Sequence, residues 1–203
     1  MKLHSDFERG MAKVSTLVDT NVVSLQQLSN GIRQISDETG MSVTELAEAE
    51  YQAISASVDT AHVTDFVRTA AIAAKAGFTD TTTAIDGLTT VLNSYGLSAE
   101  NAGKITDQML MTQNLGKTTF GDLAQGIGSV ATAASLAKVS TDDLFASMAI
   151  LTKNGVQTSE AFTGFQGILS AVSKQSQQTV KTAAAMGIDF TPEHLDKSDG
   201  SSS

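Results

Sequence analysis

Cysteine and tryptophan are both missing from the 203 residues, and proline occurs once, at Pro192. Without cysteine the chain has no disulfide, no thiolate metal ligand and no thiol nucleophile, and its redox compartment stays open. Two tyrosines and eight phenylalanines are the whole aromatic content. Much of the remaining apolar material is alanine, which buries little area per side chain, so each helix contact stabilises weakly. A modestly stable, plastic body is expected. Basic residues are also few: 13 Lys and Arg against 22 Asp and Glu leave a net charge of −9. They are scattered singly, whereas a phosphate-binding surface needs them clustered to release counterions. No direct nucleic-acid binding is expected. The start, Met1 to Arg9, lacks the apolar stretch of a secretory signal. No run reaches the roughly 18 apolar residues of a membrane span. Leu123 to Val139 comes nearest, interrupted by Gln125, Ser129, Thr132, Ser135 and Lys138. Strand signals are missing as well, since no alternating run of β-branched and aromatic residues survives about four positions.

What the chain does have is punctuation. A glycine or small residue, a hydrophobe and a hydroxyl residue recur as Gly40-Met41-Ser42, Gly77-Phe78-Thr79, Gly96-Leu97-Ser98, Gly116-Lys117-Thr118, Lys138-Val139-Ser140 and Gly155-Val156-Gln157-Thr158. Val58-Asp59-Thr60 fills the widest gap. Glycine takes the left-handed conformation that ends a helix. The hydrophobe covers the corner, and the hydroxyl accepts a bond from a free N–H of the next helix. The intervals of roughly 18 to 22 residues fit one short helix plus a turn. The expected N-caps are Ser42, Thr79, Ser98, Thr119, Ser140 and Thr158. A shift of about 59 residues lays Ile85, Val91, Leu92 and Gly96 over Leu144, Ile150, Leu151 and Gly155, roughly three such units.

The first segment carries a different pattern. Phe7, Val14, Asn21, Leu28 and Ile35 alternate with Met11, Val18, Leu25 and Ile32 in steps of four and three, a heptad seam of about four repeats. Asn21 is its one polar member, at a position where asparagine sets register and partner number. Two readings fit: a self-association seam between copies, or an amphipathic helix laid on its own domain. The expected fold is all-α. It has a long, coiled-coil-like helix over 1–38 and a train of about seven short antiparallel helices over 39–190, as a bundle or solenoid. A polar tail over 191–203 has the composition of a disordered end.

Reaction chemistry finds no foothold. His4, His62 and His194 lie far apart with no ligand partners at metal spacing, and there is no HExxH. Asp142-Asp143, and likewise Glu48 and Glu50, point different ways from a helix. Both pairs read as favourable first-turn charge rather than as a catalytic pair. Gly126-Ile127-Gly128 is half of a dinucleotide fingerprint with no strand before it, so close helix packing is the better reading. No GxSxG elbow is present. No enzyme, cofactor or metal is expected.

The order of small residues around the corners carries a resemblance. Thr44-Glu45-Leu46-Ala47 through Ala73-Ala74-Lys75-Ala76-Gly77, and Ala84 through Gly96, resemble the core region of phage tail tape measure (minor tail) proteins. So do Leu123-Ala124 through Val139-Ser140, then Leu151-Thr152-Lys153-Asn154-Gly155, Thr158 through Gly164, and Ala183 through Ile188. The resemblance covers about residues 40 to 190. It implies a structural virion protein of the tail-tube lumen, present in the bacterial cytoplasm during assembly, that sets tail length and leaves ahead of the DNA. Its implied partners are copies of itself, tail tube and tail-tip proteins and tail assembly chaperones, with membrane contact only during ejection. The family often has glycine where Ser57 stands, and its members are usually much longer. A fully helical chain of this size reaches only about 300 Å, so a core fragment or truncated product is expected. A helical-repeat protein-binding scaffold and a membrane-active segment used in ejection are the alternative readings.

Overall fold

The structure, a computed structural model, describes residues 2–18 and 22–185. They form ten α-helices, two short 3-10 turns and no strand. The helices are α1 (Lys2–Ser15), α2 (Leu25–Thr39), α3 (Val43–Ser55), α4 (Val63–Ala76), α5 (Thr81–Tyr95), α6 (Ala102–Leu115), α7 (Phe120–Gly126), α8 (Ala131–Leu136), α9 (Thr141–Lys153) and α10 (Thr158–Ala185). The all-α class is the expected one. Asn21, Pro192, His194 and the 191–203 tail lie outside the described residues.

The single long helix expected over 1–38 is two helices. Ser24 starts the second with a capping box: its hydroxyl accepts from the Gln27 N–H at 3.2 Å, and the Gln27 side chain accepts from the Ser24 N–H at 3.0 Å. The apolar stripe runs through this break because Val14 and Leu28 are buried in the same core. Ser24-x-x-Gln27 is a legible start signal that the heptad spacing masks.

The helices stack in two layers. α1, α3, α5, the α7–α8 pair and α10 follow one another in the first layer, and α2, α4, α6 and α9 in the second. Side-chain bonds tie each helix to its next-but-one neighbour at sequence separations of 33 to 40. Examples are Lys13 to Glu48, Lys75 to the Thr39 carbonyl, Ser94 to Thr132 and Thr112 to the Phe145 carbonyl, together with Thr158 to Thr118. N-terminal ends meet N-terminal ends, as in Thr81 with Glu45 and Lys104 with Asp142. C-terminal ends meet likewise, as in Asn93 with the Ala56 carbonyl. Neighbours within a layer therefore run parallel, which is the arrangement of an α-solenoid. The repeat is a two-helix unit of about 38 residues, so the three-unit shift of 59 restates the corner spacing only.

Threonine makes this core workable. Thr39, Thr89, Thr112 and Thr152 are buried, and each hydroxyl donates to the carbonyl four residues back, at 2.6 to 2.8 Å. A buried hydroxyl satisfied within its own helix needs no partner from the neighbour. The segment after Thr119 breaks at a 3-10 turn over Ile127–Ser129. Phe162 of α10 rests on Gly126 there; a Cβ on that glycine would sit 2.5 Å from the ring. Gly126 thus permits close helix packing, and no helix among the described residues is long and apolar enough to cross a membrane.

Candidate functional site

The corners are built largely from backbone. Ser57, Phe78, Gly96, Lys138 and Gly155 all have positive φ, between 52° and 94°. In each case the next residue donates its N–H to the carbonyl five back: Val58 to Ala53, Thr79 to Ala74, Leu97 to Leu92, Val139 to Ala134 and Val156 to Leu151. These are Schellman closures. Gly40, at φ 74°, ends α2 with its own N–H on the Ser36 carbonyl. Gly116 differs: its backbone is extended, and Thr152 and Ala149 of α9 press against it.

The helix starts sort the expected caps. The Ser42 hydroxyl accepts from the Thr44 N–H at 3.2 Å, while Glu45 turns outward to take the Thr81 hydroxyl at 2.9 Å. Thr119 accepts from the Asp122 N–H and Ser140 from the Asp143 N–H, at 3.0 and 3.1 Å. Asp80, not Thr79, caps α5: Asp80 is the extended residue directly before the helix, and Thr79 belongs to the closure of α4. Asp80 accepts from the Thr83 N–H at 2.8 Å and from the Thr83 hydroxyl at 2.7 Å. These bonds hold its carboxyl below the usual carboxylate range. Ser98 opens the 3-10 turn Ala99–Asn101 and makes no cap bond with its side chain. Thr158 is the first residue of α10 rather than the residue before it, and its hydroxyl donates to Thr118 at 2.8 Å.

Of the heptad seam, Phe7, Val14, Leu28, Ile32 and Ile35 are buried within this chain, and Met11, Val18 and Leu25 are half-buried against them. The Arg33 guanidinium lies over the Phe7 ring, 5.4 Å from its centre. The buried members of the set pack within this chain, and Met11, Val18 and Leu25 keep part of their surface open.

Three features escape the sequence patterns because the stacking alone brings them together. At one corner, His62 Nδ1 lies 3.1 Å from Asp59 and Nε2 lies 3.7 Å from Glu100. They rim a cavity of about 210 Å³ whose lining includes Val58, Leu92 and Leu97. The Ala61 N–H, and then His62, holds the Asp59 carboxyl below its ordinary value. This cluster ties α4 to the turn before α6; no group able to hold a metal occurs among the described residues. Second, Ile72, Met111 and Ile150 occupy equivalent positions on the parallel helices α4, α6 and α9, and each is more than half exposed. Third, Glu50 of α3 is fully buried.

Caps, inter-helix bonds and a periodic outer face define an all-α protein of stacked short helices. The chain belongs to the phage-related minor tail protein family, whose profile matches residues 29–202. It is 32% identical over 150 residues to a probable tape measure protein of Clostridium phage phiCD119, covering 72% of this chain. It is 22% identical over 190 residues to a tape measure protein of Pneumococcus phage Dp-1, covering 94% of this chain. In both comparisons the chain spans 16% of the relative's length. No solved structure matches it.

Proposed function

We propose that this chain is a helical body of a tail tape measure protein, acting in tail assembly and in setting tail length from inside the tail tube. The observation that carries the reading is the family match over 29–202, joined to similarity with tape measure proteins across most of the chain. The role is mechanical and needs no reaction. Tail tube and tail-tip proteins and assembly chaperones are its partners in this reading, with copies of itself bundled alongside.

The physical chemistry supports a body that changes length. Alanine contacts stabilise each helix pair weakly, and solenoid units contact only their neighbours, so one can open without the whole. A cooperative unfolding transition above about 90 °C would mark a hyperstable fold and exclude that rearrangement. The test of the tail role is in-frame removal of residues 58–96, the α4–α5 unit, from the phage gene. At 1.5 Å per helical residue, tails shorten by about 60 Å in electron micrographs. Unchanged tail length overturns the reading. The row of Ile72, Met111 and Ile150 favours the scaffold reading instead, and that reading predicts tails of normal length.

A further inference from the structure

We propose that Glu50 is a protonation latch for the N-terminal end of the stack: protonated, it keeps α1 and α2 docked on α3 and α4, and its ionisation releases them. The geometry is a three-helix junction. One oxygen of Glu50 accepts from the Thr64 hydroxyl of α4 at 3.2 Å, and the other has no hydrogen-bond partner. The Thr64 methyl in turn presses on Gly31 of α2, where an added Cβ would overlap it. α3 and α4 therefore meet at a carboxyl sealed from water with one donor, and α2 backs that donor on its far side. A carboxylate in that position is strongly disfavoured, and a neutral acid is tolerated.

Among the described residues, no cation on the elements packed on α3 pairs with Glu50. On α1, Arg9 pairs with Asp6 and Lys13 with Glu48; Glu8 is the other acid there. On α2, Arg33 sits over Phe7, and the acids are Asp37 and Glu38. On α4, Arg68 is held between Glu38 and Asp65, and Lys75 donates to the Thr39 carbonyl. α5 brings Asp86, and α3 itself adds Glu45, Glu48 and Tyr51. Burial accordingly pushes the Glu50 carboxyl up to about 7, against a smaller opposing pull from Thr64.

The sign follows from linkage. An opened junction returns the carboxyl to water and its ordinary affinity, near 4.5, so the closed form gains its full advantage below that pH. The advantage is lost as pH rises through about 7. α1 and α2 are the helices to leave, because α2 closes on the junction through Gly31 and α1 packs on α2 and α3. The latch does not depend on the tail role.

Hydrogen exchange on the full chain at about pH 5 and about pH 8, corrected for intrinsic rates, tests it. The opening equilibrium of α1 and α2 rises on the order of 50- to 100-fold at the higher pH, while α6 and α9 change little. In Glu50→Gln the α1–α2 response disappears and protection persists at both pH values. A response that survives in Glu50→Gln, or one spread evenly over all helices, overturns the latch. Should that variant not fold, carbon-13 NMR titration of the unaltered protein decides. A Glu50 midpoint near 7 supports the latch, and one in the ordinary carboxylate range overturns it.

Discussion

Left-handed backbone is where single residues matter most in this chain. Ser57, Phe78 and Lys138 hold positive φ with a Cβ attached, which costs roughly 1–2 kcal/mol per residue relative to the right-handed region. Phe78 gains nothing back from packing, since it is 94% exposed. Lys138→Gly is therefore expected to raise stability by about 1 kcal/mol, allowing for glycine's larger unfolded-state entropy. Urea denaturation with an unchanged slope checks it. Gly126→Ala acts in the other direction. The new methyl meets the Phe162 ring, and overpacking of this kind costs about 1–3 kcal/mol, read as a lower urea midpoint. Gly40, Gly96 and Gly155 were legible as left-handed positions because glycine declares them, whereas Gly77, expected to do the same, has φ −88° and leaves the left-handed turn to Phe78. Ser57 and Lys138 were not, because their conformation is imposed from outside. The Schellman bond from Val58 or Val139 and the packing of those valines against the core fix the preceding residue.

Helix starts can be tested cap by cap. Asp80 satisfies a free N–H of α5 through its carboxylate, and its carboxyl is held below the ordinary range by Thr83. Asp80→Ala is expected to cost about 1 kcal/mol at neutral pH. A lowered acid contributes stability that is present above its unfolded-state value and lost as pH falls through the folded one. The gap between the parent and Asp80→Ala should hold above about pH 5 and narrow below about pH 4, which paired thermal melts across pH would show. A pH-independent gap would mean the cap does not act through charge. At this scale the sequence pattern was most readable at Ser42, Thr119 and Ser140, where a hydroxyl directly precedes an amphipathic run. It was least readable between α1 and α2. There the 3.5-residue spacing continued across a break, because two separate helices bury their stripes in one core. The Glu50 junction was equally hidden. A glutamate within an alanine-rich helix looks solvated until α4 is seen to meet it through Thr64, with α2 backing that threonine.

The stacking itself belongs to the whole molecule, and little of it shows in the residue order. Rungs such as Lys104 with Asp142 join side chains 38 residues apart, and their members share no motif that would announce the pairing. What recurs is geometric: Ser57 and Gly96 end corresponding first-layer helices with the same left-handed turn. If each two-helix unit is a module bonded mainly to its neighbours, excision at equivalent corners should leave a shorter stack rather than an unfolded chain. Removing residues 58–96 joins Ser57 directly to Leu97 and brings α3 against α7 where α5 stood. The purified product should keep its helical circular dichroism per residue and still unfold cooperatively, at a lower temperature, because one interface set is lost and a new one is imperfectly matched. Loss of the transition altogether would mean that the core is indivisible, and tail length could then not follow the number of units. A retained transition, combined with shortened tails from the same deletion in the phage, would tie the modular fold to measurement of length.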